Sequence, residues 1–243
     1  MEIIRAHDYA EMSAKAAELI AAQLLLKPDC VLGLATGSTP LGIYDALARK
    51  VAAGSLSFSR ARSINLDEYV GLSADDRQSY AYFMRENLFG KVDFADGANN
   101  IPNGTTADID AECARYDSLV EQLGGIDLQL LGLGPNGHIG FNEPSDSFEP
   151  NTHLVELTEN TIAANARFFG EGEHQPTRAL TIGVRAIMQA KTVLLAVSGE
   201  AKAEALRGAL FGPITPRLPA SILQLHPRLF VFADEAAMSA IDR

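Results

Sequence analysis

The chain has 243 residues, 47% of them hydrophobic, with 31 acidic against 20 basic side chains and a formal net charge of −11. That length can bury a large core, and the acidity excludes the basic patch that nucleic acid demands. No run of about 18 apolar residues is present to span a membrane, and the opening MEIIRAHDYAEM has no basic region leading into an apolar one, so no secretory leader is expected.

Glu2–Arg5 reads as a short strand, and Asp8 as the cap of an alanine- and leucine-rich helix reaching Leu26. Cys30–Ala35 is a continuous apolar run suited to a buried parallel strand. Thr36-Gly37-Ser38-Thr39 follows, then Pro40 and a helix through Ala48. A second strand, Arg62–Leu66, ends at Asp67-Glu68, and Ser79 caps a helix to Leu88. Phe89–Asn103, rich in Asn, Gly and Asp, reads as irregular. A polar helix over Asp108–Leu123 leads to the strand Ile126–Leu131.

Beyond it, Thr158–Phe169 has a helical pattern with Glu159 in its first turn, and Ala179–Ile182 is a short apolar piece. Val193–Val197 is a strand closed by Ser198-Gly199, followed by a helix over Glu200–Leu210. Pro213, Pro216 and Pro219 break the chain before Ser221–Leu225, and Arg228–Phe232 is the last strand. Strands alternating with helices predict an α/β fold, a doubly wound, mostly parallel sheet with helices on both faces (Rossmann-like). No repeat, low-complexity tract or linker divides the sequence, so residues 1–243 are expected to form a single domain.

The stretch Leu130–Pro144, LLGLGPNGHIGFNEP, ends an apolar strand in glycines and delivers Asn136, His138, Asn142 and Glu143 close together. Gly132–Gly137 spells the dinucleotide fingerprint G-x-G-x-x-G, which must open a helix. The residues that follow, HIGFNEP, are a poor helix start, and the dinucleotide reading is rejected. Each strong strand in turn ends in polar groups, and in a parallel sheet those ends share one edge, where ligands bind.

Thr36, Gly37, Ser38 and Thr39, between a strand and a helix, suit a phosphate. They equally suit an ordinary helix start. Lys202, early in a helix, opposes the helix dipole and so calls for an anion; Arg167 is either a partner in that task or a surface residue. Asp67, closing an apolar strand, is either a partly desolvated carbon base or half of an Asp-Glu turn. His138, flanked by Asn136 and Glu143, has an imidazole whose tautomer and charge its neighbours set. His7, His153, His174 and His226 show no ligand spacing, and neither do Cys30 and Cys113, so no metal site is expected and the cytoplasm, with both thiols reduced, is the expected compartment. One carbon base, one His–Glu proton shuttle and a phosphate cradle, with no cofactor, fit proton transfer on a phosphorylated sugar.

The motifs LATGSTP, SINLDEYVGL, LGLGPNGHIGFNEP, NARFF and SGEAKAEAL, in this order, resemble those of the glucosamine-6-phosphate deaminase family (glucosamine/galactosamine-6-phosphate isomerases), from about Ala35 to Leu225. The related 6-phosphogluconolactonases share a Gly-His loop but not FNEP. The resemblance implies conversion of glucosamine 6-phosphate and water to fructose 6-phosphate and ammonia, with no cofactor. It makes Asp67 the base that moves a proton from C2 toward C1, and His138 the ring-opening catalyst, tuned by Asn136 and Glu143. Thr36, Gly37, Ser38, Thr39, Arg167 and Lys202 become the phosphate site. Some members carry Asp where this chain has Asn136, which bears no charge. Some members of the family are hexamers activated by N-acetylglucosamine 6-phosphate, held by basic residues shortly after FNEP and by a C-terminal extension. Here that stretch is Asn151-Thr152-His153-Leu154-Val155, without Lys or Arg, and the last strand is soon followed by Arg243. A monomer or small homo-oligomer without that regulation is the expectation.

Overall fold

A computed structural model describes residues 1–158, 161–162 and 175–241 of the chain. Seven parallel strands form the main sheet: β1 (Glu2–Ala6), β2 (Val31–Leu34), β3 (Arg62–Asn65), β5 (Asn99–Asn100), β6 (Leu128–Gly132), β9 (Val193–Val197) and β10 (Leu229–Asp234). Their order is β1-β10-β9-β6-β2-β3-β5. The central members β2 and β9 are buried along their whole length, as an apolar run with no alternation requires of a strand covered on both faces. Gly33 is needed in β2 because the buried Gln129 side chain lies across it, and a Cβ there would stand 2.0 Å from Gln129 Oε1.

Helices α1 (Tyr9–Leu26), α2 (Leu41–Ala52), α4 (Ile109–Gln122) and α6 (Ala203–Phe211) connect these strands. Asp8 caps α1 by accepting Glu11 N–H at 2.9 Å. Met12, Ala16, Ile20 and Leu24, spaced to share one face, are buried. Each fully buried large side chain of this kind contributes about 2 kcal/mol of transfer free energy. Pro28 follows directly on the helix end, where it bars continuation. After β2 the chain steps outward through β3 to β5; after β6 it steps the opposite way, through β9 to β10. Right-handed crossovers then place α1 and α2 over one face and α4 and α6 over the other. The reversal lies between the neighbours β2 and β6, and this switch point is where such sheets open a crevice.

A second, antiparallel sheet has the order β4-β8-β7: β4 (Asp67–Tyr69), β8 (Arg178–Thr181) and β7 (His153–Glu156). Sequence patterning reads Asp67-Glu68 as the end of the second strand and Ala179–Ile182 as an isolated apolar piece. In the structure Asp67 instead opens β4, in register with Thr181. Strand β5 falls within the stretch expected to be irregular; its two residues, both Asn, carry no hydrophobic pattern, yet they pair with Ser63 and Ile64. The helix from Ser79 is α3 (Tyr80–Met84) continued by a π-helical turn, Arg85–Phe89. The helix expected from Glu200 begins as a 3₁₀ turn, Glu200–Lys202, before α6. The segment expected to be helical from Thr158 lies largely outside the described residues; Thr161 and Ile162 are helical. Short helices α5 (Val184–Gln189) and α7 (Glu235–Met238) and a 3₁₀ helix, Pro219–Leu225, complete the described elements. Among the described residues no helix is long and apolar enough to cross a membrane.

At the sheet edge opposite the crevice, the buried carboxylate of Asp127 accepts Lys27 Nζ and Lys191 Nζ at 2.7 Å each and Val31 N–H at 2.8 Å. Burial raises its pKa, but these three donors outweigh burial and hold the carboxyl below its ordinary value. A depressed folded-state pKa means the clasp stabilises fully above about pH 4 and is lost as pH falls below that. Asp127→Ala is expected to cost about 2 kcal/mol at neutral pH, chiefly through the orphaned Val31 N–H, because both lysines are partly solvated. Urea unfolding at pH 7 and pH 3 should show this loss shrinking on acidification, with Michaelis parameters unchanged at pH 7.

Candidate active site

A cavity of about 300 Å³ opens at the switch point. Its walls come from the segments that follow β2 and β6, from the start of β4, and from the turn after β9. The volume lies at the lower end of the range for small-molecule sites.

Thr36, Gly37, Ser38 and Thr39 line one wall. Gly37 has φ +89°, a left-handed conformation that a side chain would strain, and it turns the chain from β2 toward α2. Lys202 also lines the cavity, on its 3₁₀ turn, and its Nζ donates to Leu133 O at 2.6 Å. That turn is held by Asp234, buried at the end of β10. Asp234 accepts Ser198 Oγ at 2.5 Å and Gly199 N–H at 3.1 Å, and it also caps α7 through Ala237 N–H. Arg167 lies outside the described residues.

Asp67 lies on the floor, only 4% exposed. Gly140, beside this carboxylate, has φ +59°, and a Cβ there would stand 3.0 Å from Thr181 Oγ1, so a side chain would be both strained and crowded. Burial, and then the charge of adjacent Glu68, hold the Asp67 pKa well above the usual carboxylate range. Glu68 is equally buried and points the other way. It accepts the N–H groups of Tyr69, Tyr80 and Ala81 at 2.8–2.9 Å, and burial outweighs those donors to push it up to about 7. The same bonds fix the first turn of α3, which brings Tyr80 into the cavity wall.

The loop after β6 opens no helix, in keeping with the rejected dinucleotide reading. It places His138 in the cavity wall and Glu143 behind it, with Glu143 Oε2 3.6 Å from His138 Nδ1. That is ion-pair reach but longer than a hydrogen bond. Asn136 ties the loop to Glu143, donating Nδ2–H to Glu143 at 2.8 Å and accepting the backbone N–H of His138 at 3.2 Å. An ionised Asp could do only the second. Thr161 Oγ1 donates to the other Glu143 oxygen. Burial pushes Glu143 up, but the His138 imidazole, Thr161 and Asn136 together bring it below its ordinary value, so it stays ionised beside the imidazole. Asn142 does not face the cavity; its side chain donates to Ile139 O and Ile182 O and fixes the loop.

Sequence reading missed Tyr80, Phe141 and Thr161. Tyr80 and Phe141 stack at 5.8 Å and form an apolar wall. Burial, with Tyr69 and Asp67 nearby, raises the Tyr80 pKa well above its ordinary value, so its hydroxyl is a neutral donor. Ser79 is recognisable as a helix cap, yet nothing in the sequence shows that the next residue faces Asp67. A Cβ on Gly134 would stand 2.3–2.4 Å from three atoms of the His138 ring. Gly134→Ala is therefore expected to displace the imidazole and lower kcat/KM about 10²-fold. Circular dichroism and thermal unfolding should show the fold retained.

The family model of glucosamine-6-phosphate isomerases/6-phosphogluconolactonase matches residues 6–231. A glucosamine-6-phosphate deaminase from Lachnoclostridium phytofermentans is 54% identical over 231 residues, covering 95% of this chain and 98% of that protein. One from Clostridioides difficile is 50% identical over 242 residues, covering 100% of this chain and 97% of its own. A solved structure described as a monomeric glucosamine-6-phosphate deaminase has a TM-score of 0.96 at 47% identity, covering 99% of this chain and 100% of that one. The 6-phosphogluconolactonase of Thermotoga maritima, 21% identical with a TM-score of 0.77 over 96% of this chain and 99% of its own, shares the fold. The chain, matched almost from end to end, belongs to the glucosamine-6-phosphate isomerase/6-phosphogluconolactonase family.

Proposed function

We propose that the protein is a cytoplasmic glucosamine-6-phosphate deaminase, an isomerising hydrolase of amino-sugar catabolism. It converts glucosamine 6-phosphate and water to fructose 6-phosphate and ammonia. The observation that carries this reading is a carboxyl of raised pKa, Asp67, in one cavity with the His138 imidazole and the Thr36–Thr39 wall. The Thr36–Thr39 loop and Lys202 hold the phosphate, with Arg167 as a second cation. His138, beside ionised Glu143 and Asn136, shuttles the proton that opens the pyranose ring. Asp67 takes the C2 proton of the open aldose and returns it to C1, leaving an imine at C2. Water adds to that imine, and ammonia departs as the ketone forms.

Hydrolysis of a phosphorylated lactone is the competing reading within the family. It has no use for a carbon base, and the relatives at 50% identity and above are named as deaminases. A non-catalytic sugar-phosphate sensor would likewise have no use for Asp67. Regulation by N-acetylglucosamine 6-phosphate has no support. The 280 Å³ cavity behind the FNEP loop is lined, among the described residues, by Glu149, His153 and Glu156 and by no Lys or Arg. A monomer or small homo-oligomer with hyperbolic kinetics fits that lining.

The reading is tested with glucosamine 6-phosphate, following ammonia, fructose 6-phosphate and solvent deuterium at C2. Asp67→Asn keeps the shape and removes the base, and kcat is expected to fall about 10²–10⁴-fold while substrate still binds. Near-normal deuterium exchange at C2 in that variant would refute the assignment. Absence of ammonia release by the wild type would refute the function.

A further inference from the structure

The Thr36–Thr39 loop has two sides. Ser38 and Thr39 line the cavity that holds Asp67 and His138, and they also line a second cavity behind it, together with Tyr9, Gly42 and Ser198. The loop is thus a thin wall between the two. Tyr9, the first residue of α1, is 29 residues before Ser38 in the chain and stands behind that wall. Its hydroxyl oxygen lies 3.1 Å from both Ser38 O and Thr39 O, to which it donates, and it accepts Gly42 N–H at 2.7 Å.

We propose that Tyr9 is a positioning residue for the phosphate: by holding the Ser38 and Thr39 carbonyls on the rear of the wall, its hydroxyl turns the Thr39 N–H toward the substrate cavity. The physical argument is the geometry of the trans peptide, in which the carbonyl of one residue and the N–H of the next point in opposite directions. With Ser38 O drawn to Tyr9, the N–H of Thr39 must face away from it, toward the front cavity. The residue after Thr39 is Pro40, which has no N–H, so turning the Thr39 carbonyl presents no donor on the other side of that peptide. Left loose, it could turn its negative end toward a bound dianion. The Tyr9 hydroxyl prevents that, and by taking Gly42 N–H it ties the wall to the first turn of α2.

The packing is built for this contact. A Cβ on Gly42 would stand 2.6 Å from Ser13 Oγ and 3.1 Å from Tyr9 Cε1, so the glycine is what lets α2 approach α1 closely enough for the phenol to reach the wall. Tyr9 itself is 37% exposed and contributes little burial, so its hydroxyl can be removed without opening the core.

The inference rests on the phosphate site proposed above, and the experiment separates the two. Inorganic phosphate binding is measured by calorimetry for the wild type, Lys202→Ala, Tyr9→Phe and Gly42→Ala, alongside Michaelis parameters with glucosamine 6-phosphate. Tyr9→Phe is expected to raise the phosphate Kd and the KM together, by about tenfold, with kcat within about twofold and thermal unfolding little changed. Gly42→Ala, by wedging the phenol away, should give a similar loss, and the double variant should be no worse than the weaker single one. Unchanged phosphate Kd in Tyr9→Phe, or a loss confined to unfolding temperature or kcat, would overturn the role of Tyr9 while leaving the phosphate site standing. Failure of the wild type to bind phosphate, or binding indifferent to Lys202→Ala, would overturn the site and with it this inference.

Discussion

Removing a carboxyl from water is costly, and placing a second carboxyl beside it is costlier still; Asp67 and Glu68 do both at once. The two resolve the conflict differently. Glu68 turns away from the cavity and spends its oxygens on three backbone N–H groups, which locks β4 to the first turn of α3. Asp67 faces the cavity with its pKa raised, which makes it a stronger base than an ordinary aspartate and still able to return the proton. The small antiparallel sheet is the support for this arrangement. Its pairing of Asp67 with Thr181 and of Tyr69 with Ala179 holds the pair of acids in place.

The molecule separates what stabilises it from what reacts. The Asp127 clasp sits at the N-terminal edge of the parallel sheet, and the cavity at the opposite edge, where the order of strand addition reverses between the parallel neighbours β2 and β6. Each wall of the cavity has a support outside it: Asp234 beneath the turn that carries Lys202, Glu68 beneath Tyr80, and Tyr9 behind Ser38 and Thr39. These supports hold mainly backbone groups, with the Ser198 hydroxyl on Asp234 the side-chain contact among them, which suits a site built largely from the ends of strands.

Much of this was legible in the residues because the signals were local. Continuous apolar runs marked β2, β6 and β9, and the polar groups at their ends marked the walls of the cavity. What escaped were features set by long-range pairing. Strand β5 has two Asn residues and no apolar pattern, and it exists because β3 offers an edge to pair with. The antiparallel sheet joins Asp67, Thr181 and His153, which lie more than 80 residues apart in the chain at the extremes. Tyr80 reaches the cavity only because Glu68 holds its helix, a contact that spacing cannot reveal. Asn136, which looked like the loss of a charge, turns out to bridge His138 and Glu143 by donating and accepting at once.

The account stands or falls on the protonation of Asp67, which carbon-13 NMR of its carboxyl follows directly. Titrating the wild type should give a midpoint well above the ordinary value of about 3.9 for an aspartate. In Glu68→Gln, where the neighbouring charge is gone, that midpoint should fall while the resonance still reports a buried group. A midpoint at or below the ordinary value in the wild type, unmoved in Glu68→Gln, would show that burial beside Glu68 does not set the chemistry of this site.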